Sequence, residues 1–220
     1  MLVLAIDTST PDLVTGLVDT TTGNTHDRVM PGTRAHNEQL TPTVRALLAD
    51  AGVTFPDLDA VVVGCGPGPF TGLRVGMASG AAFGDALGIP VHGVCSHDAI
   101  ARRLPAGRAL VATDARRREI YWATYDDGVR TTGPGVDKPA ELAVPHDVDV
   151  ISVPGHLAAQ LPEALQDLPR HDLAPDAASL VAVADLAATP EPLVPLYLRR
   201  PDAVPPKAVP KSPAIPEVEL

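Results

Sequence analysis

The stretch Val61–Leu87, VVVGCGPGPFTGLRVGMASGAAFGDAL, constrains this chain more than any other. Val61, Val62 and Val63 form a short apolar run of buried-strand type. The run passes into Gly64-Cys65-Gly66-Pro67-Gly68-Pro69 and leaves through Phe70-Thr71-Gly72 into a long proline-free segment. The pattern predicts strand, loop and helix. Such a loop can bring backbone N–H groups to a helix N-terminus, where an anion is favoured. The helix carries Gly72, Gly76, Gly80 and Gly84 at a strict spacing of four. Each would cost about 1 kcal/mol relative to alanine in a free-standing helix. The stripe therefore implies that another backbone comes close. A four-residue step overshoots one helical turn by about 40°, so the stripe winds slowly and suits a crossing element. Spacing alone leaves two readings open: a helix pressed on its own sheet, or a surface that receives a partner helix.

Around this stretch the chain alternates. Leu2 to Ile6, Leu13 to Val18 and His26 to Met30 read as a meander of three strands. Its first turn, Asp7-Thr8-Ser9-Thr10-Pro11, is acidic and hydroxyl-rich. Asp7 could place Mg²⁺ or water near a phosphate, with Thr8 and Ser9 on its oxygens, or it could simply close the hairpin as an Asx-turn. Leu40, Val44, Leu47, Leu48 and Ala51 recur at helical spacing, with Pro42 near the start and Gly52 as C-cap. His36 lies before this helix and reads as a capping or partner-contact residue. After the glycine-striped helix, Ile89 to Val94 is a strand, and Ser96-His97-Asp98 caps a short helix, Ala99 to Leu104.

Pro105-Ala106-Gly107 is the best internal boundary, because the pattern then restarts. Arg108 to Thr113, Ile120 to Tyr125 and Val129 to Thr132 repeat strand, turn, strand, turn, strand. The order predicts an α/β fold of two related subdomains with the second reduced, residues 1–105 and 106–200. Within the second, Val148 to Val153 is a strand, and His156 to Leu168 and Asp176 to Ala188 are helical. Pro195 to Arg199 is an extended piece that could dock on the body. Residues 201–220 hold six prolines, an expectation of a disordered tail. Arg116, Arg117 and Arg118 are the densest positive charge in the chain; they suit phosphate or RNA, or a solvated turn.

Charge and composition narrow the function classes. The net charge of −10 argues against nucleic-acid binding by this chain alone through a broad basic face, though not within a complex. Aromatic residues are 3% of the chain, so the core must be Val, Leu, Ile and Ala. Cys65 and Cys95 fit two reduced thiols better than a disulfide. MLVLAIDTST has no basic region ahead of its apolar run, and no apolar stretch is long enough to span a membrane, so a cytoplasmic protein with no membrane partner is expected.

Six blocks in order, AIDTST, RAHNEQL, GPGPFTGLRVG, ALGIPVHGV, DARRREIYWATY and PLYLR, resemble the bacterial TsaB (YeaZ) family across about residues 1–200. The resemblance implies an actin-like, sugar-kinase-like ATPase fold. It implies a non-catalytic scaffold or activator in the formation of N6-threonylcarbamoyladenosine (t6A) at position 37 of tRNAs reading ANN codons. TsaD, the catalytic relative, would be its heterodimer partner, TsaE a further ATPase partner, and tRNA a partner only through the complex. ATP and Mg²⁺ would serve that complex, with no cofactor or metal bound by this chain alone and a homodimer forming when it is isolated. The resemblance puts the partner surface on the two helices of the first subdomain. That selects His36, Leu40, Val44, Leu47, Phe70, Leu73, Gly76, Met77, Gly80, Phe83 and Gly84. Asp7, Thr8, Ser9, Gly66, Gly68, Thr71 and Gly72 are the candidate phosphate contacts, and Arg116, Arg117 and Arg118 the candidate RNA contact. Three departures stand out: Pro69 replaces a common serine, no His-x-x-x-His pair occurs, and the second half has no glycine-rich loop facing Asp7. The missing pair removes the metal ligands of the catalytic relative and argues against a metalloprotease. A stand-alone small actin-like ATPase or kinase is the alternative reading.

Overall fold

A computed structural model describes residues 1–144 and 147–199. The tail 201–220 lies outside the described residues. The chain builds two five-stranded mixed sheets. The first holds β1 (Leu2–Asp7), β2 (Leu13–Asp19), β3 (Thr25–Met30), β4 (Ala60–Gly64) and β5 (Val91–Val94), in the order β3-β2-β1-β4-β5. The second holds β6 (Arg108–Asp114), β7 (Ile120–Asp126), β8 (Val129–Asp137), β9 (Val150–Ser152) and β10 (Arg170–His171), in the order β10-β9-β6-β7-β8. Read from its other edge, the second order repeats the first. In each sheet a three-strand antiparallel meander is extended by two parallel strands.

The copies differ in their crossovers. In the first, β3 connects to β4 through α1 (His36–Ala51), and β4 to β5 through α2 (Phe70–Leu87). Both end at a left-handed glycine, Gly52 and Gly88. In the second, one 3₁₀ turn at Pro139–Glu141 stands where α1 would be, and α4 (Gly155–Ala158) and α5 (Glu163–Gln166) stand where α2 would be. The single helix expected over 156–168 is thus two short ones. Pro162 is the N-cap of the second, and its missing N–H stops the first from running through. The second parallel pair is also short, three and two residues long.

Other elements differ from expectation at their ends. α3 runs Ser96–Ala101 rather than 99–104, with Cys95 as N-cap, because the Ser96 hydroxyl is taken by Asp7. β8 continues past Thr132 to Asp137 through a cis Gly133–Pro134 bond. α6 spans only Ala177–Ala182, capped by reciprocal bonds between Asp176 and Ser179. It stops before Asp185, whose carboxylate accepts the N–H groups of Ala187 and Ala188 instead.

α6 packs on the first sheet, although it follows the strands of the second. Ala177, Leu180 and Val181 join Val3, Ala5, Val14, Val18, Ala60 and Val62 in one buried cluster with Val94 and Ala99. Gly16 makes this approach possible, since a Cβ there would strike Ala177. The opposite face of the same sheet carries α1 and α2, with Leu4, Ile6, Leu17, Leu40, Val44, Leu47, Leu73 and Met77 in the core between. β1 and β4 are buried on both faces, which is why they read as unbroken apolar runs.

Candidate functional site

The strands β1 and β4 end side by side, and their ends define the candidate site. Asp7 lies at the end of β1, just beyond the paired residues Ile6 and Val63, and faces Gly64. A Cβ at Gly64 would overlap the carboxylate, so glycine there is required by contact. Asp7 Oδ1 accepts the Ser9 N–H at 2.8 Å and the Ser9 hydroxyl at 2.6 Å, the Asx-turn geometry. Its Oδ2 accepts the Ser96 hydroxyl at 2.5 Å. Ser96 Oγ in turn accepts the Gly66 N–H at 3.2 Å. Thr8 donates its hydroxyl to the Gly72 carbonyl at 2.7 Å. Burial pushes the Asp7 carboxyl above the ordinary carboxylate range, opposed by the bonds from Ser9 and Ser96 and by nearby His36.

Asp7, Thr8, Ser9, Gly66 and Gly68 are thus brought together, as expected, but as a closed polar knot. Asp7, Thr8 and Ser9 are 0–3% exposed. Gly68 rests on the Ser9 backbone and Gly72 on the Thr8 carbonyl. Of the seven residues read as phosphate contacts, only Thr71 is exposed and Gly72 is half-buried. The Cys65 and Gly66 N–H groups of the loop are taken by the Val94 carbonyl and Ser96 Oγ, and the buried Asp7 carboxyl beside them has a raised pKa. The Asx-turn alternative describes the turn, with both Asp7 carboxylate oxygens accepting from Ser9 and Ser96.

Of the two readings of the glycine stripe, the structure shows the helix pressed on its own sheet. Gly72 and Gly76 face Thr8 of the β1 turn, Gly80 faces Val63 of β4, and Gly84 faces Val91 of β5. The slow drift of the stripe carries α2 diagonally across its own sheet. Gly76, Gly80 and Gly84 are consequently buried inside this chain, as are Leu40, Val44, Leu47, Leu73 and Met77. None of these eight presents a side to a partner. Phe83 is half-buried with its ring 5.4 Å from that of Phe55. The outward faces of the two helices are instead Thr41, Arg45 and Ala49 on α1 and Arg74, Ala78, Ala82 and Ala86 on α2. Reading missed these alanines, although Leu73 and Met77, each one residue past a stripe glycine, already marked the core side of α2. His36 is half-buried at the start of α1, with its Nε2 buried and unpartnered.

Phe70 belongs to a different contact. Leu193 to Arg199 crosses the molecule as an extended strap. Tyr197 stacks on Phe70 with centroids 3.9 Å apart and planes 9° off parallel. Arg74 lies 4.2 Å over the Phe70 ring and donates to the Tyr197 hydroxyl at 2.9 Å. The Leu196 N–H reaches the Cys65 carbonyl at 2.9 Å. Further along, Arg199 pairs with Glu119 and donates to the Arg116 carbonyl at 3.3 Å. The strap thus ties α2 to the β6–β7 turn.

That turn is unusual. Arg116, Arg117 and Arg118 have φ of 61°, 54° and 63°, three successive left-handed residues, and all are exposed. The turn is held by Asp114 Oδ1, which accepts the Arg116 N–H at 2.6 Å, and by Ala115 N–H to the Glu119 carbonyl at 3.0 Å.

A polar seam joins the two sheets. His97, fully buried, bonds through Nε2 to Thr113 Oγ1 at 2.8 Å, and burial drives its pKa down to about 3. Asp98 accepts the Tyr125 hydroxyl at 2.9 Å and faces Arg130 at 3.5 Å. Burial raises both thiols, Cys65 to about 11 and Cys95 to about 12, and both are free. Among the described residues there is no group of three or more His, Cys, Asp or Glu that could hold a metal ion, and no helix is long and apolar enough to cross a membrane.

The whole architecture recurs in solved structures. YeaZ from Pseudomonas aeruginosa superposes with a TM-score of 0.71 at 30% identity, covering 83% of this chain and 89% of that one. A second Pseudomonas aeruginosa structure, described as an uncharacterized protein with similarity to peptidase YeaZ, gives 0.72 at 30% identity and covers 88% and 99%. The chain belongs to the TsaB (YeaZ) family. Its two-sheet α/β fold is accordingly that of these YeaZ structures. The family model described as "TsaD: tRNA N6-adenosine threonylcarbamoyltransferase" matches residues 27–189. An uncharacterized Mycobacterium tuberculosis protein is 55% identical over 210 residues, covering 92% of this chain and 94% of its own. The Escherichia coli tRNA threonylcarbamoyladenosine biosynthesis protein TsaB is 40% identical over 131 residues, which cover 57% of this chain and 55% of that protein.

Proposed function

We propose that this TsaB-family chain is a non-catalytic subunit in t6A formation, working as a heterodimer with a TsaD-like catalytic subunit and recruiting a TsaE-like ATPase. The observation that carries the non-catalytic part is the closed knot at Asp7. Both oxygens of the one carboxylate at the strand ends are consumed by Ser9 and Ser96, and the glycine loop lies flat on the same turn. No nucleophile, paired acid and base or metal ligand set faces solvent there. Membership of a family whose named relatives act in threonylcarbamoyladenosine synthesis supports the pathway. ATP and Mg²⁺ then belong to the assembled complex, and tRNA meets this chain only within it.

The partner surface is the outward side of the α1–α2 pair. Ala78, Ala82 and Ala86 recur every four residues, so a second helix pair can approach closely there. The same face would close a homodimer when the partner is absent. The test is size-exclusion chromatography with light scattering of the full chain, alone and with its TsaD-like protein. A one-to-one heterodimer that is lost in Ala82→Arg but kept in an exposed-face control, Lys138→Ala, is the expected result. ATP turnover by the isolated chain, with no heterodimer, would replace this reading with the stand-alone ATPase.

A further inference from the structure

The strap holds one side chain on the outward face of α2 in a fixed pose. Arg74 is exposed, yet it is not loose. Its guanidinium lies 4.2 Å over the ring of Phe70, one helical turn earlier, and its Nε–H donates to the Tyr197 hydroxyl at 2.9 Å. Tyr197 is stacked on Phe70 and is itself held on both sides. Before it, Leu193 packs on the core of the first sheet and the Leu196 N–H is bonded to the Cys65 carbonyl. After it, Arg199 pairs with Glu119. Pro190, Pro192 and Pro195 stiffen the approach, since each fixes its own φ. The Nε–H of Arg74 is therefore used. Its remaining N–H groups, on the two Nη atoms, have no bond among the described residues.

We propose that Arg74 is the polar anchor of the partner surface, and that it receives the carboxylate of an aspartate or glutamate on the docking helix of the TsaD-like subunit; the inference rests on the heterodimer reading for the identity of that subunit. With Nε taken by Tyr197, the open edge of the guanidinium is the one formed by the two Nη atoms. Their parallel N–H groups fit both oxygens of one carboxylate. The stack and the tyrosine bond have already removed the side chain's rotamer freedom, so a partner does not have to freeze it. Arg74 also heads the outward row. Ala78, Ala82 and Ala86 follow it at steps of four, and none of them carries a charge. A lone cation at the end of a small apolar row complements a helix with one acid at its edge. A nucleic-acid backbone would ask for several cations along the row. The far end of the row carries the opposite sign. Asp85 is exposed on the same face, about 20° from Arg74 around the helix and about 16 Å along it. The two charges give the row a direction, with the partner's acid at the Arg74 end.

The test is the dissociation constant of the full chain with its TsaD-like protein, measured by biolayer interferometry, with circular dichroism melts to show that each variant is folded. Arg74→Gln should weaken binding at least tenfold. Arg74→Lys should stay closer to Arg74→Gln than to wild type, because an ammonium cannot span both carboxylate oxygens. Tyr197→Phe keeps the ring on Phe70 but releases Nε; its binding should weaken about threefold with an unchanged melting curve. Arg74→Glu should lose binding and regain it when one exposed acid of the TsaD-like docking helix is changed to lysine. Wild-type affinity in Arg74→Gln overturns the proposal. So does wild-type affinity in Arg74→Lys, which would reduce the fork to a plain charge. A loss in Arg74→Glu that no acid-to-lysine change in the partner restores overturns the carboxylate. A homodimer broken by Arg74→Gln beside an unchanged heterodimer also overturns it, since the anchor would then join two copies of this chain. If the wild-type chain forms no heterodimer at all, the heterodimer reading fails and the anchor with it; a normal heterodimer of Arg74→Gln sinks the anchor alone.

Discussion

Asp7 and Asp114 stand at the same place in two copies of one strand pattern, at the ends of β1 and β6, and their surroundings are opposite. Asp7 is fully buried, with both oxygens bonded to serines. Asp114 is half-buried, holding the Arg116 N–H with one oxygen and facing the His156 ring with the other. One copy has turned its acidic turn inward as a structural plug. The other has turned its equivalent outward and lined it with arginines.

The plug has a pH signature. The native state holds the Asp7 proton more tightly than the unfolded chain does, because burial raises the carboxyl above 3.8. Its contribution to stability is therefore full below that value and is lost as pH rises through the higher native pKa. Asp7→Asn removes this loss. Urea midpoints of the variant should gain on wild type as pH rises above about 4, and the difference should shrink at lower pH.

His97 titrates in the other direction. Its native pKa of about 3 lies below the ordinary 6.5. Neutral His97 therefore contributes stability that is present above 6.5 and lost as pH falls toward the native value. His97→Asn keeps a partner for Thr113 but carries no proton to take up, so its acid limb should be shallower. Imidazole proton shifts of His97 should stay constant from about pH 7 to 5 in the folded protein.

Gly80→Ala should cost about 1–3 kcal/mol, because its methyl group meets Val63 Cγ2. For a chain of this size that lowers the melting temperature by about 2–4 °C per kcal/mol. Ala82→Arg, two residues on and exposed, should stay within about 0.5 kcal/mol of wild type. Circular dichroism melts of the pair check both.

Tyr197→Ala removes the stacked ring on Phe70 and the bond from Arg74. A loss of about 1–3 kcal/mol is expected from the ring pair and the hydrogen bond together. Hydrogen exchange should locate it, with the Leu196 amide, bonded to the Cys65 carbonyl, exchanging faster than in wild type.

Most of this fold was legible locally. The meanders, α1, α2 and their glycine caps follow from period and punctuation, and the restart after Gly107 revealed the duplication. What local pattern could not supply was contact at a distance. Nothing in AASLVA says that it covers Val3 and Val62 rather than the sheet it follows, since any apolar face would accept it. The direction of the glycine stripe was open for a similar reason: a sheet and a partner helix demand the same small residues. The closure of Asp7 was not legible either, because Ser96, the hydroxyl that completes the plug, lies 89 positions away. The arginine turn was visible as charge, while its left-handed backbone was not, because nothing in Arg-Arg-Arg itself favours positive φ.

The return of α6 to the first sheet sets an order of events during synthesis. When residues 1–105 have been made, all five strands of that sheet exist, but the face formed by Val3, Ala5, Val14 and Val62 has only Ala99 of α3 beside it and lacks the cover that α6 supplies. The cover arrives with Ala177–Ala182. At about 5–20 residues per second, the ribosome holds an apolar sheet face open for several seconds while the second copy is being translated. The first half of this protein is therefore begun early and completed late, and its exposure to chaperones and to misassembly is set by the length of the half inserted between its strands and their cover.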